Sequence, residues 1–224
     1  MRLVAFMTIA VVFASATAPA QTITNEPISA ATNTPPAAAE KTDEKAWSFS
    51  VSASTYIVPD SDDYVQPTIT ADRGWLHLEA RYNYEALDTG SAWLGYNFSG
   101  GKKIEWEFTP MVGGVFGDMT GIAPGYKGSL SWWKLELYSE GEYVFDTGDS
   151  DGSFFYNWSE LSLSPVDWFR FGLVTQRTRA YHTNVDVQRG LLVGFSYKKM
   201  DFTTYVFNLD EDKPTFVFAV GLSF

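Results

Sequence analysis

The sequence predicts an all-β fold, an antiparallel up-and-down arrangement of about twelve strands. From Trp47 onward, apolar and polar residues alternate with a period of two, which is the period of a strand with two different faces. Clusters of Asp, Gly, Ser and Pro interrupt the alternation roughly every ten residues, as turns do. The apolar period of an amphipathic helix is missing from this part of the sequence.

Composition excludes several classes of function. The chain has 224 residues, with 27 acidic against 16 basic side chains, a net charge of -11 and no cysteine. Without cysteine there is no disulfide framework, thiolate metal site or cysteine nucleophile. An acidic chain also lacks the Lys and Arg that contacts to nucleic-acid phosphates require. Hydrophobic residues make up 45% of the chain, which is too many for a disordered protein, and the length suits one domain.

Residues 1–20 have the pattern of a secretory signal peptide. Arg2 gives a positive start, residues 3–13 form an apolar run, and Ala18-Pro19-Ala20 is a small-residue cleavage site. A cut after Ala16 also fits the pattern. The alternative is an N-terminal membrane anchor, for which the apolar run is short.

Residues 21–46 predict a disordered periplasmic tail. Thr, Ala, Pro, Asn and Glu dominate this segment, and it has no apolar period. Such a composition buries too little apolar surface to offset the entropy of ordering. A plug or a partner-binding strand is the alternative for this segment.

Each strand of the remaining region, 47–224, is predicted from its own alternation. In the first strand Trp47 and Phe49 share a face opposite a run of serines, and in the third the apolar face extends from Leu76 to Tyr84. The predicted strands span residues 47–58, 64–72, 75–86, 91–98, 103–116, 121–132, 133–145, 153–164, 168–181, 187–198, 201–209 and 215–224.

This arrangement fits either a soluble sandwich or lipocalin-like barrel, or a barrel that spans a membrane. Charged residues lie deep inside the strands on one face, whereas a lipocalin-like core would be apolar. Connections on one side are tight, and those on the other are mostly longer and all contain Asp, as in membrane barrels. The opposite face is aromatic, with Trp and Tyr near strand ends, as at membrane interfaces. It includes Trp47, Tyr82, Trp106, Trp132, Phe169 and Phe195.

The chain ends on Phe224, the last residue of an apolar alternation. In this ending, in the alternation over 47–224 and in the signal, it resembles bacterial outer-membrane β-barrel proteins of a small, porin-like type. The resemblance implies a transmembrane barrel in the Gram-negative outer membrane with both termini in the periplasm. It also implies that the barrel-assembly machinery recognises Phe224 as an assembly signal. The family's terminal pattern differs here at Gly221, three places from the end.

The charged face is predicted to line the lumen. Its carboxylates outnumber its cations, so a narrow channel for small solutes would prefer cations. The same groups would also fit salt-bridge networks in a nearly closed, non-conducting barrel that serves surface recognition or envelope integrity. The predicted lining residues are Glu79, Arg81, Glu105, Glu107, Glu136, Glu140 and Glu142.

Two further features bear on the expected partners, which include outer-membrane lipids and lipopolysaccharide. Acidic loop residues such as Asp149 and Asp151 would hold divalent cations that bridge to lipopolysaccharide, but ordinary turn chemistry is the favoured interpretation. Arg177 and Arg179 face outward toward lipid phosphates if the alternation continues, and inward if a bulge lies near residues 174–175.

Catalysis is not predicted, and neither is a cofactor or a metal site. His77 begins a strand near a tight turn, and His182, with Asp186 nearby, is the one position suited to acid–base chemistry. No serine follows at the spacing of known outer-membrane hydrolases. A surface hydrolase that uses His182 is therefore a third, less favoured function.

Overall fold

The computed structural model describes residues 46–59, 61–149, 152–180 and 186–224, with the side chains of residues 179, 180 and 186 excepted. These residues form one closed antiparallel barrel of thirteen strand segments. Segments β4 and β5 both pair with β6, so they act as a single strand interrupted at Asn97, and twelve strands surround the lumen. The predicted up-and-down barrel of about twelve strands is confirmed. The predicted signal peptide, and the predicted tail up to residue 45, lie outside the described residues.

The strand bounds follow the predicted alternation closely. They are β1 Ser48–Ile57, β2 Tyr64–Arg73, β3 Leu76–Tyr82, β4 Thr89–Tyr96, β5 Phe98–Gly101, β6 Ile104–Gly117, β7 Gly121–Trp132, β8 Leu135–Asp146, β9 Phe154–Val166, β10 Phe169–Ala180, β11 Asp186–Tyr197, β12 Met200–Phe207 and β13 Thr215–Ser223.

The barrel closes where the first and last strands meet. β1 pairs with β13, and beyond the end of β13 the Phe224 amide donates to the Phe49 carbonyl at 2.9 Å while the Phe49 amide donates to Phe224 at 2.8 Å. Closure removes the unpaired strand edges that a membrane would not tolerate.

The two ends of the barrel differ. At one end, here called the turn end, five connections have two residues each. The first residue of three of these turns has positive φ: Gly74 (56°), Trp133 (57°) and Lys198 (56°). Positive φ matches such hairpins to the strand twist. At the opposite end, here called the loop end, the connections are longer, as predicted.

Apolar and aromatic side chains cover the outward face of the barrel. Trp106 on β6 is 41% exposed, and Trp132 on β7 is 57% exposed. The side chains that alternate with them along each strand point inward. An exposed apolar wall of this extent is the surface of a barrel immersed in lipid. No helix among the described residues is long and apolar enough to cross a membrane.

Two apolar clusters fill part of the interior toward the loop end. One gathers around Trp158 and Phe207, and the other packs Trp93 against Met111 and Val144. Trp158 meets Tyr205 and Phe207 edge to face, with ring centroids 5.1 and 5.4 Å apart. These clusters narrow the lumen where they lie.

The third strand ends at Tyr82, four residues before the predicted boundary, so the predicted outward position of Tyr84 is wrong. Asn83 adopts a φ of 55° and stops the strand. Its side chain then holds the turn, because Oδ1 accepts from the Asp88 amide at 2.8 Å and Nδ2 donates to the Val65 carbonyl at 3.0 Å. Asn is one of the few residues that adopt this backbone conformation readily. Consequently Tyr84 turns into the barrel.

Arg177 lies on the outward face. The pairing of β10 with β9 is continuous from Phe171 to Ala180, with its irregularity between Phe169 and Phe171, so there is no bulge near residues 174–175. Val174 is buried, whereas Leu173 and Arg177 are exposed. The side chain of Arg179 is outside the described residues.

Gly113 provides a test of the interior packing. A Cβ at this position would lie 2.5 Å from the ring of Trp93, which is only 3% exposed, whereas a Cβ on the neighbouring Gly114 would meet nothing within 4 Å. We therefore expect Gly113→Ala to lower the free energy of unfolding by about 1–3 kcal/mol. Urea unfolding of the barrel in phospholipid vesicles measures this. Gly114→Ala is the matched control, and equal stability of the two variants would contradict the packing described.

Candidate functional site

The lumen contains a polar cavity with about 670 Å³ of empty space, part of it open to solvent. Two unlike walls enclose it. Strands β1 and β2 form one wall, and strands β8, β9 and β12 contribute most of the other. The lining comprises Ser52, Ser54, Tyr56, Gln66, Thr68, Thr70, Glu79, Tyr84, Lys127, Tyr138, Glu140, Tyr156, Trp158, Glu160 and Tyr205.

Apart from Tyr56, the first wall is built from short hydroxyl side chains and one amide side chain. The pairing of β1 with β2 places Ser52 opposite Thr68 and Ser54 opposite Gln66. One step toward the turn end, the hydroxyl oxygens of Ser50 and Thr70 lie 2.7 Å apart. Because these side chains are small, the open space lies against this wall. In the sequence, the serines that alternate along β1 indicate this wall of small side chains.

The second wall combines tyrosines with carboxylates. Glu140 accepts hydrogen bonds from the phenols of Tyr84 at 2.5 Å and Tyr138 at 2.7 Å. Glu160 accepts from Tyr205 at 2.9 Å and from the indole nitrogen of Trp158 at 2.8 Å. These phenols hold the carboxylates in position and present aromatic edges to the cavity.

Tyr84 crosses the lumen from a loop. Its ring meets Tyr156 edge to face at 5.5 Å, and the guanidinium of Arg81 lies 4.2 Å from the ring centroid. Burial, together with the nearby Glu140 carboxylate, raises the pKa of the Tyr84 phenol well above its ordinary value, so the phenol remains a donor. The segment that carries Tyr84 therefore narrows the lumen.

Arg81 is the centre of a buried ion-pair network. Its Nε donates to Glu79 Oε1, and its Nη1 donates to Glu142 Oε2 at 2.8 Å. Glu85 lies 3.9 Å from the same nitrogen. Lys127 donates to Glu79 Oε2 and lies 3.8 Å from Glu140. Arg81, Glu79 and Glu142 are all buried, with 6%, 5% and 4% of their surface exposed to solvent.

This network contains more carboxyl groups than cations. Four carboxylates, those of Glu79, Glu85, Glu140 and Glu142, share the two cations Arg81 and Lys127. Glu85 Oε2 and Glu142 Oε1 are buried and lack a hydrogen-bond partner among the described residues. Buried carboxylate oxygens without partners favour any cation that reaches them.

A second, smaller network surrounds Arg170. Its guanidinium donates to Glu160 at 3.0 Å and to Thr203 at 2.7 Å, and it lies 3.6 Å from Asp201. Its Nε has no hydrogen-bond partner among the described residues. Here, too, two carboxylates share one cation.

The predicted lining residues divide into two groups. Glu79, Arg81, Glu140 and Glu142 come together in the Arg81 network. Glu105, Glu107 and Glu136 point inward near the turn end and are half-buried, and no ion pair forms at any of them among the described residues. Glu105 and Glu136 both pair with Ser131, so the register places them on one ring of the lumen.

His77 is held by carboxylates on both sides. Its Nδ1 lies 2.7 Å from Asp72 Oδ1 and its Nε2 lies 3.0 Å from Glu79 Oε2. With both ring nitrogens engaged, neither is available to activate a hydroxyl. His182 lies outside the described residues, and so do Asp60 and Asp151 of the acidic loops.

Comparison of sequences places the chain in no group. No protein-family model matches it, and no curated protein matches it in sequence.

Comparison of folds finds porins. A structure of KdgM porin superposes with a TM-score of 0.59 at 10% identity, covering 78% of this chain and 99% of that one. KdgM porin in complex with disordered oligogalacturonate gives the same values. OccK5 (OpdH) of Pseudomonas aeruginosa matches at a TM-score of 0.43 and 6% identity, over 83% of this chain and 68% of that one. The first two likenesses show that the twelve-stranded barrel of this chain has the fold of the KdgM porin structures.

The Arg81 network makes a sharp prediction for stability. Arg81→Met leaves Glu79 and Glu142 buried without their shared cation, so we expect the free energy of unfolding to fall by about 3–5 kcal/mol. Adding Glu142→Gln to that variant should restore part of the loss. Urea unfolding in vesicles measures both effects, with Lys102→Met in an exposed turn as the control. An Arg81→Met variant as stable as the control would mean that the ion pairs contribute nothing.

Proposed function

We propose that this protein is a porin-like channel of the bacterial outer membrane that passes small solutes and prefers cations. The observation that carries the proposal is the polar lumen cavity, whose surrounding carboxylates outnumber their cations. A lumen of this charge concentrates cations and repels anions. The predicted lining residues, from Glu79 to Glu142, supply most of that charge.

The two walls suggest how a solute would move. The first wall offers uncharged hydrogen-bonding groups to a polar solute. On the second wall, Glu140 and Glu160 attract any positive charge that the solute carries. A charged lining that binds weakly at several positions permits passage better than one tight site. The oligogalacturonate named with KdgM porin is a polyanion, and the carboxylate-rich lumen of this chain would oppose such a solute. We therefore propose neutral or cationic polar solutes.

Location and assembly complete the proposal. An exported chain with a signal peptide at 1–20 and a periplasmic tail at 21–46 would place both termini, and the turn end, in the periplasm. Phe224, which pairs with Phe49 at the barrel seam, would serve as the signal for the assembly machinery. The membrane partners would be outer-membrane lipids and lipopolysaccharide. In this proposal the protein is not an enzyme.

The packing of the interior favours a second candidate, a non-conducting barrel that serves surface recognition or envelope integrity. The clusters around Trp158 and Trp93, with Tyr84 between the walls, occupy much of the lumen toward the loop end. A lumen closed there would leave the loops as the functional surface.

Conductance separates these two candidates. Under a KCl gradient across a planar bilayer, the refolded mature protein should give discrete steps with a cation-selective reversal potential. Glu140→Gln should move that potential toward zero, because Glu140 faces the cavity; Glu211→Gln, in an exposed loop, is the matched control. Steps of unchanged selectivity in Glu140→Gln would contradict its role. A folded, inserted protein that never conducts would contradict the channel itself.

Tyr84 should limit the size of the steps. Tyr84→Ala removes a ring that spans from the loop to Glu140 and Tyr156, so we expect a larger single-channel conductance with little change in selectivity. Leu87→Ala is the control, since Leu87 lies in the same loop and is 53% exposed. Equal conductance of the two variants would place the narrowest point of the lumen elsewhere.

A further inference from the structure

One sector of the outward wall carries a cluster of polar side chains, whereas apolar and aromatic side chains cover most of the rest of that wall. Cross-strand pairing aligns two neighbouring rows across β7 to β11 on this face. One row runs through Tyr126, Gly141, Asn157 and Arg177, and the other runs through Gly128, Ser139, Ser159, Thr175 and Arg189.

The side chains of this sector are organised by hydrogen bonds. Asn157 Nδ2 donates to Tyr126 Oη and to Ser139 Oγ, both at 3.1 Å. The hydroxyl oxygens of Ser139 and Ser159 lie 3.0 Å apart, and Ser159 donates to Asn157 Oδ1 at 3.2 Å. The Tyr126 ring covers Gly141. An ordered polar surface therefore faces the lipid.

Apolar residues border the sector along the strands. On β8, Leu137 on the turn side is 46% exposed and Phe145 on the loop side is 53% exposed. The polar side chains thus interrupt the apolar band instead of lying beyond its edge. Polar groups at such positions are costly in lipid and mark places where another polar molecule is met.

Each of the two rows contains an arginine: Arg177 pairs directly with Asn157, and Arg189 pairs with Thr175. Arg177 lies three residues from the loop-end terminus of β10, and Arg189 lies three residues from that of β11. Both are exposed, and neither makes an ion pair with a described carboxylate. Outward arginines are expensive at the bilayer centre but not near the headgroups. Their position therefore matches the headgroup level.

A second copy of the chain is a poor occupant of this surface. In a two-fold interface the same patch meets itself, so Arg177 and Arg189 would approach the arginines of the other copy. Among the described strand residues, no Asp or Glu lies on the outward face, so no carboxylate there offsets this repulsion. Two guanidinium groups without an ion pair among the described residues instead match phosphate oxygens, to which Arg bonds in bidentate geometry.

We infer that this sector binds a phosphorylated, acylated sugar of the outer leaflet, that is, a lipid A-type glycolipid. Arg177 and Arg189 contact its phosphate, and the Ser139–Asn157–Ser159 cluster, which lies beside them in the same two rows, meets the ester and amide groups that join the sugars to the acyl chains. This inference depends on the loop end facing the outer leaflet and not on conduction.

The test is lipid binding by the mature, refolded protein in detergent micelles, followed by native mass spectrometry. Bisphosphorylated lipid A and its dephosphorylated form are the two probes. We expect the phosphorylated form to bind more tightly, and each of Arg177→Gln and Arg189→Gln to weaken it about fivefold. Arg73→Gln is the matched control, because Arg73 ends β2 at the turn end, beside Trp47. It should bind as the wild type does.

Other outcomes would overturn the inference. Equal binding of the two lipids by the wild-type protein would contradict the phosphate contact. Because this comparison uses only the wild-type protein, it does not depend on whether a variant folds. Equal binding by the arginine variants and by Arg73→Gln would place the lipid elsewhere. A wild-type dimer that the arginine variants convert to monomer would make the sector a contact between barrels. Conductance of the same preparations, measured separately, distinguishes failure of this site from failure of the channel.

Discussion

The structure depends on one constraint: in lipid, every backbone N–H and C=O must find its partner within the protein. A sheet meets this constraint only by closing on itself, and the pairing of β1 with β13 completes that closure. Once the ring is closed, each strand has one face toward lipid and one toward the lumen. The aromatic exterior and the charged interior are consequences of this geometry.

Inside the ring, charge and packing compete for the same space. Arg81 and Lys127 hold a group of carboxylates together, and the tyrosines fix others by hydrogen bonds. The clusters of Trp93 and Trp158 occupy the remaining space toward the loop end. The cavity lies against the part of β1 and β2 that contributes mostly small side chains, with Tyr56 as the one large ring on that wall.

The sequence predicts the ring better than it predicts the lumen, for a physical reason. Alternation fixes which face a strand residue takes, so the strand bounds and the inward carboxylates such as Glu79 follow from pattern alone. Tyr84 does not follow, because Asn83 ends the strand through its backbone conformation. The pairing of Arg81 with Glu142 is also invisible in sequence, since these residues are 61 positions apart. The outward direction of Arg177 follows only from the pairing register of β10 with β9, which has no bulge near residues 174–175.

The order of pairing around the ring has a consequence for how the chain folds. Every strand pairs with its neighbours in sequence, except at the seam, where β1 meets β13. Hairpins joined by short turns close small loops and form early, whereas the seam joins residues almost a whole barrel apart and carries the greatest loop-closure entropy. A chain shortened before Thr215 would keep every hairpin except β12–β13 but present two open edges to its surroundings. Completion of the barrel is therefore a single late event, in which the last strand joins the first.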